Sequence, residues 1–194
     1  MDEIVARLCS ENDHKRLELM RVLPGWRIEL LETDGYPPEV GETFLENARA
    51  KAEYGRRVGP ADEWMLGEDS GIELAAIGGL PGVQTARWAD GRHVERALDA
   101  VAGLTERSAR YVCELVAISP GGRETRGTGT LEGTIALEPA GGEGFGFDPV
   151  FIPVGEERTV AELGDAWKSE HSHRARAARA LLDALCDPTR FGVR

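Results

Sequence analysis

The chain has 194 residues, 41% hydrophobic and 29% charged, enough for one large domain with a sizeable core. With 34 acidic against 23 basic residues its formal net charge is −11. That argues against a nucleic-acid polymer as the main partner, since binding a phosphate backbone leaves a basic footprint, but one small triphosphate is still open to it.

In chain order, IVARLCS (4–10) predicts a first strand. Residues 13–23 predict a helix with Leu17, Met20, Val22 and Leu23 on its apolar face, ended by Pro24-Gly25. WRIELLE (26–32) is a second strand, and TDGYPPEVGE (33–42) an exposed loop by its Gly and Pro content. TFLENARAKAEYGRRV (43–58) reads as a helix opened by Thr43 and Glu46 at capping-box spacing. In EWMLGEDSGIEL (63–74) a short apolar strand is expected to run into an acidic turn and out into another strand. AIGGLPGVQTARWADG (76–91) is a Gly/Pro-rich excursion, and residues 93–103 look helical. SARYVCELVAIS (108–119) alternates as a long strand, Pro120-Gly121-Gly122 turns the chain, and residues 123–137 return as its hairpin partner. A last helix is expected over 172–185. Strands mixed with helices throughout give an α/β class with a central mixed sheet.

Cys9, Cys113 and Cys186 are scattered, with no CxxC or Cys/His spacing, so neither a zinc site nor a disulfide framework is indicated. MDEIVARLCS is too short and too acidic for a signal peptide, and no apolar run could span a bilayer. A reducing, cytoplasmic setting without membrane partners is the expectation.

Four polar clusters could carry chemistry. SENDHK (10–15) lies at a strand-to-helix turn, where Ser10, Asn12, Lys15 and free backbone N–H groups could cradle phosphate oxygens. Taken alone, the run is better read as ordinary helix capping by Asn12 or Asp13 with Lys15 solvated. PPEVGETFLEN (37–47) and GEDSG (67–71) supply carboxylates; with Glu46 assigned to its own cap, Glu39, Glu42, Glu68 and Asp69 are left free to hold Mg²⁺. GEGFGFDPVF (143–152) combines bare backbone, flat rings and a carboxylate. It reads either as a nucleotide clamp or as a tight turn with Phe145 and Phe147 in the core. In WKSEHSHRARAARALL (167–182), Lys168, His173 and Arg174 gather at the start of the last helix, where cations oppose the macrodipole unless they meet an anion. No Walker loop, GxGxxG or GxSxG motif is present, so metal-assisted attack of water on a phosphoanhydride is the chemistry this inventory allows.

The five runs SENDHK, EVGETFLENARAKA, GEDSGIELAAIGGLPGVQTARWA, GFGFDPVF and TVAELGDAWKSEHSHRARA, in this order, cover nearly the whole chain. Together they resemble the inosine triphosphate pyrophosphatase family, which hydrolyses non-standard purine nucleoside triphosphates to a monophosphate and pyrophosphate. The resemblance implies a long twisted mixed sheet, two lobes around a cleft, a homodimer and Mg²⁺ as cofactor. Carried over, Ser10, Asn12, Lys15 and Lys51 would contact the triphosphate, and Glu39 and Asp69 would bind the metal. Asp69 would also activate the attacking water, and Ser70 would touch substrate. Phe145, Gly146, Phe147, Asp148, Lys168, His173 and Arg174 would enclose the base and sugar-phosphate.

The chain departs from the family pattern at Glu11 for Gly, Glu68 for Asp, Gln84-Thr85 for Tyr-Ser, and Glu143 for Gly. These leave two alternatives: a Maf-like enzyme acting on another modified nucleotide, or a catalytically weak nucleotide sensor. The SHR and GFGFD runs argue against the first; Glu39, Asp69 and Lys168 argue against the second.

Overall fold

The computed structural model describes residues 3–187; Met1 and Asp2 of the N-terminal stretch lie outside them. Six strands form one mixed sheet in the order β2-β1-β3-β4-β5-β6. β1 (Ile4–Leu8) pairs in parallel with β2 (Trp26–Leu30) and β3 (Trp64–Leu74). β3 then pairs antiparallel with β4 (Ser108–Ile118), β4 with β5 (Glu124–Ile135), and β5 with β6 (Phe151–Pro153). Parallel neighbours need a crossover. α1 (Asp13–Val22) supplies it between β1 and β2, and α2 (Phe44–Val58) between β2 and β3. α3 (Thr85–Ala89) and α4 (His93–Ala100) lie between β3 and β4, while α5 (Val160–His171) and α6 (His173–Cys186) follow the sheet.

Alternation along β4 puts helices on both faces, because successive strand residues point to opposite sides. Cys113, Leu115 and Ala117 join Ala177, Ala178 and Leu181 of α6, whereas Val116 and Ile118 join Ala48 and Ala52 of α2. Two glycines set how closely the helices approach. A Cβ on Gly67 would lie 1.9 Å from the Ala48 carbonyl oxygen, and one on Gly129 would lie 2.0 Å from that of His173. A further apolar cluster gathers Ile72, Leu74, Tyr111, Leu131, Phe147 and Phe151 with Ala97 of α4. No helix among the described residues is long and apolar enough to cross a membrane.

The capping box of α2 forms as expected: Thr43 Oγ1 accepts from the Glu46 amide, and Glu46 Oε2 accepts from the Thr43 amide. One expectation fails. Residues 63–74 contain no acidic turn, because β3 runs unbroken through Glu68 and Asp69. Its glycines mark close approaches instead, Gly67 to α2 and Gly71 to Thr85. α5 has no counterpart in the sequence reading. Gly164, at φ 82°, kinks it into two short halves and breaks the helical pattern.

Candidate active site

A cavity of about 620 Å³ opens beside the end of β1. Ser10, Asn12 and Lys15 line it from the β1–α1 turn, Glu39 and Lys51 from around α2, and Ser70 from β3. Residues 145–148, Lys168, His173 and Arg174 enclose it from the other side. Asn12 also caps α1, its Oδ1 accepting from the Lys15 amide at 3.3 Å, while Ser10 Oγ accepts from the Asn12 amide at 3.1 Å. Capping and cavity lining thus coexist at this turn.

Strand alternation separates the acidic pair. Glu68 stands opposite Leu115 and shares its face, towards α6; Asp69 stands opposite Glu114 and faces α2. Glu68 is fully buried and is not the free carboxylate expected from sequence. Lys15 Nζ lies 2.6 Å from its Oε2, and Arg174 donates to its Oε1 from Nη2 at 2.9 Å and Nε at 3.1 Å. Burial alone would raise this carboxyl, but Lys15 and Arg174 outweigh it and hold it well below the usual range. Asp69 accepts from Lys51 Nζ at 3.0 Å and from Asn47 Nδ2 at 3.1 Å. Burial raises its pKa, and the Lys51 charge only partly offsets this. Lys51 also pairs with Glu39, so one ammonium joins both carboxylates that the resemblance implies as metal ligands. Lys51 and Glu39 line the cavity, with Asp69 immediately behind them. Glu42 is exposed, its amide bonded to Glu46 Oε2 at 2.7 Å, and does not line the cavity.

The aromatic run serves both of its readings. Phe147 is buried in the core, 4.9 Å from His93 and 6.3 Å from Trp88 between ring centroids. Phe145 is half-buried at the cavity wall. Asp148 is buried and accepts from Lys168 Nζ at 2.7 Å, the Phe145 amide at 2.9 Å and the Tyr111 hydroxyl at 3.4 Å. Burial raises its pKa against the opposing charge of Lys168. Lys168 does not stand at the start of the last helix; it reaches the cavity from the last turn of α5.

His173 and Arg174 do open α6, but the anions that meet Arg174 are internal, Glu68 and Glu18. The Arg174 Nη2 also donates to Ser70 Oγ at 3.0 Å. Glu18, on the buried side of α1, pairs with both Arg174 and Lys168. Their charges overcome its burial and hold its carboxyl at about 2. Burial, reinforced by Arg174, lowers the His173 pKa to about 3, so its imidazole is neutral. That ring stacks 4.6 Å from Tyr111, and its Nδ1 has no hydrogen-bond partner. Glu143 does not intrude on the cavity: its Oε2 accepts the Asp165 amide at 3.0 Å, beyond the kink in α5.

Lys15, Lys51, Lys168 and Arg174 are therefore all engaged by Glu18, Glu39, Glu68, Asp69 and Asp148. Sequence reasoning missed Glu18, Asn47, His93 and Tyr111. Asn47 had a readable signal, since it shares the buried stripe of Phe44, Ala48, Lys51 and Ala52 along α2. Glu18 had none, because its partners lie more than a hundred residues away.

Among the described residues no group of three or more His, Cys, Asp or Glu could cage a metal ion. Glu39 and Asp69 are nevertheless hard oxygen donors already sharing one cationic group, which fits Mg²⁺ held by one or two carboxylates together with phosphate and water.

A mixed sheet with helices on both faces and a charge-lined cavity walled in part by an aromatic ring defines an α/β protein with a site of small-molecule size. The model of the Ham1 family matches residues 6–184, and the chain belongs to that family. It is 44% identical over 155 residues to a dITP/XTP pyrophosphatase of Bdellovibrio bacteriovorus, covering 76% of this chain and 77% of that one. It is 41% identical over 180 residues to the dITP/XTP pyrophosphatase of Gloeobacter violaceus, covering 90% and 91%. The Staphylococcus aureus Ham1 protein superposes with a TM-score of 0.80 at 30% identity, covering 93% of this chain and 97% of that one.

Proposed function

We infer that this protein hydrolyses non-standard purine nucleoside triphosphates, of the ITP, dITP and XTP kind, to the monophosphate and pyrophosphate. The observation that carries the reading is the Asp69–Lys51–Glu39 arrangement at the cavity wall: a carboxylate of raised pKa held by a lysine that an anionic phosphate can compete for. Drawing Lys51 towards the triphosphate uncovers Asp69. Asp69 then takes a proton from water as the water oxygen bonds to the α-phosphorus. The α–β bridging bond breaks, and its electron pair leaves with pyrophosphate.

Because each cation of the site already has a carboxylate partner, the protein alone brings no surplus positive charge to a triphosphate. Glu39 and Asp69 would hold a Mg²⁺ ion at this wall, and such an ion would supply the missing positive charge to the phosphate oxygens. At the other end of the cavity Phe145 stacks on the purine, with Lys168, His173 and Arg174 around the base and sugar. Ser10, Asn12 and Lys15 receive the phosphates at the α1 N-terminus, and Ser70 completes the wall. A cleft between two lobes, a homodimer and a reducing cytoplasm belong to the same reading; Cys9, Cys113 and Cys186 are all free thiols. The position of Glu143, turned to cap α5, removes one reason for a sensor without turnover.

The test is pyrophosphate release across a panel of nucleoside triphosphates with Mg²⁺ and with excess chelator. Release from ITP and XTP that chelator abolishes is expected. No turnover of either would refute the assignment, and full activity in chelator would remove the metal from it.

A further inference from the structure

The two oxygens of the Asp69 carboxylate have partners of different kinds. Oδ1 accepts from Lys51 Nζ at 3.0 Å, and Oδ2 accepts from Asn47 Nδ2 at 3.1 Å. Lys51 lines the cavity and also serves Glu39. Asn47 is buried and does not line the cavity. When a phosphate draws Lys51 away, Oδ1 is therefore the oxygen uncovered, and Oδ2 stays bound.

The direction of the Asn47 amide is settled by its other contact. The Gly41 N–H can only donate, so the Asn47 atom 2.8 Å from it is the carbonyl oxygen, and the nitrogen faces Asp69. The residue is held firmly in the first turn of α2. Its backbone amide donates to the Thr43 carbonyl oxygen at 3.2 Å, and the capping box closes that turn. Gly41 stands two residues after Glu39, in a connection from β2 to α2 that is neither helix nor strand. One side-chain amide thus grips Asp69 on β3 at one end and the Glu39 loop at the other. The fit is close: a Cβ on Gly41 would lie 2.6 Å from Asn47 Oδ1, although the Gly41 φ is not left-handed. This glycine makes room for the amide.

We propose that Asn47 is a positioning residue that sets the separation of the Glu39 and Asp69 carboxylates for a divalent cation. The proposal rests on the nucleotide reading above and deepens it. Before substrate arrives, Lys51 joins the two carboxylates. Once a triphosphate takes that ammonium, two like charges are left to push the Glu39 loop off β3. Arg87 holds the loop from α3, donating to the Glu39 carbonyl oxygen at 3.0 Å. Among the described residues, however, only the side chains of Lys51 and Asn47 bond both the loop and the Asp69 carboxylate. Asn47 is the tie that remains. Removing a partner that orients a metal-binding carboxylate costs about 10- to 100-fold in metal affinity or activity.

The experiment titrates wild type, Asn47→Ala and Gly41→Ala with an ITP analogue whose α–β bridging oxygen is replaced by methylene, in Mg²⁺ and in excess chelator. Asn47→Ala should lose about 10- to 100-fold of its affinity in Mg²⁺ and little in chelator. The Mg²⁺ concentration giving half-maximal turnover of ITP should rise by a similar factor. Gly41→Ala, which changes no side chain of the site but crowds the amide, should show the same split in smaller size. It carries the test alone if Asn47→Ala does not fold. Equal losses with and without Mg²⁺ overturn the proposal, because they would make Asn47 a support for the fold only. Unchanged affinity in Mg²⁺ overturns it too. Wild-type chain that binds the analogue equally well in chelator removes the metal, and the proposal with it. Wild-type chain that turns over no purine triphosphate would instead refute the nucleotide reading itself.

Discussion

Glu68 and Asp69 are adjacent on β3, yet the pleat delivers them to opposite faces of the sheet and to opposite uses. On the α6 face, Glu68 is enclosed by Lys15 and Arg174, and its carboxyl is held far down in the ionised form. On the α2 face, Asp69 has one lysine, shared with Glu39, and its pKa is raised. The first is a saturated structural anion; the second is poised to change its protonation. A buried charge with two cations has little left to give to a reaction, whereas a carboxylate short of compensation takes up a proton more readily than a free one.

The comparison breaks most visibly at Asp69. Asp69→Asn keeps the shape but cannot take a proton from water, and is expected to lower kcat about 10²- to 10⁴-fold with KM little changed. Near-normal turnover in a folded variant would show that Asp69 is not the base. Its stability should change less, because Lys51 keeps Glu39 and the Glu68 carbonyl oxygen at 3.0 Å as partners.

Glu68→Gln should do the reverse. It leaves the positive charges of Lys15 and Arg174 facing a neutral amide, and removing one partner of a buried pair costs about 3–5 kcal/mol. Denaturant melts of the two variants beside wild type test this, and a Glu68→Gln chain as stable as Asp69→Asn would erase the distinction. pH sharpens it further. The Glu68 pKa is depressed on folding, so its stabilisation is complete above the unfolded value near 4.5 and is lost as pH falls through the lower folded value. Glu68→Gln should flatten that acid loss. The Asp69 pKa is raised above its ordinary 3.8, so the acid limb of kcat/KM should lie above that value.

Much of this was legible in the sequence, and the failures have a common cause. The Thr43–Glu46 box, the apolar alternation of β4 and the helix-capping reading of Asn12 rest on local rules, and they formed as those rules require. The acidic segment was misread because Gly67 and Gly71 look like turn residues when only neighbours in sequence are considered. Their reason is a helix and a threonine brought close by tertiary packing. Misreading the strand as a turn also hid the alternation, and with it the delivery of Glu68 and Asp69 to opposite faces of the sheet. Lys168 and Arg174 were correctly suspected of facing an anion, but nothing local shows that Glu18 already supplies one.

At the base end of the cavity the expected effects are smaller. Stacking on Phe145 accepts any purine, so discrimination has to come from the base edge. The neutral His173 imidazole has one N–H to donate, suiting a 6-oxo group and not an amino group. An unpaired polar group of that kind costs about 1–3 kcal/mol, so kcat/KM for ITP or XTP should exceed that for ATP by roughly ten- to hundredfold. Equal cleavage of ATP would remove the 6-oxo rule and turn attention to the exposed Glu11 at the cavity wall.

The smallest effect is expected at Tyr111, where the two ends of the site can be told apart most finely. Its ring lies between Phe151, at 4.2 Å, and His173, at 4.6 Å, so it fixes the plane of the histidine by stacking. Its hydroxyl reaches Asp148 Oδ1 at 3.4 Å, long for an O–H donor, and Asp148 keeps Lys168 and the Phe145 amide without it. Tyr111→Phe retains the ring and deletes only that weak bond. The loss should therefore fall at the low end for a hydrogen bond, about 0.5 kcal/mol, seen as a roughly twofold rise in KM for ITP with kcat unchanged. Because the hydroxyl lies far from the Lys51–Asp69 pair in the bonding network, the acid limb of kcat/KM should not move. A tenfold or larger loss confined to KM would mean that the hydroxyl bonds the base itself, and a displaced acid limb would mean that the two ends are electrostatically joined.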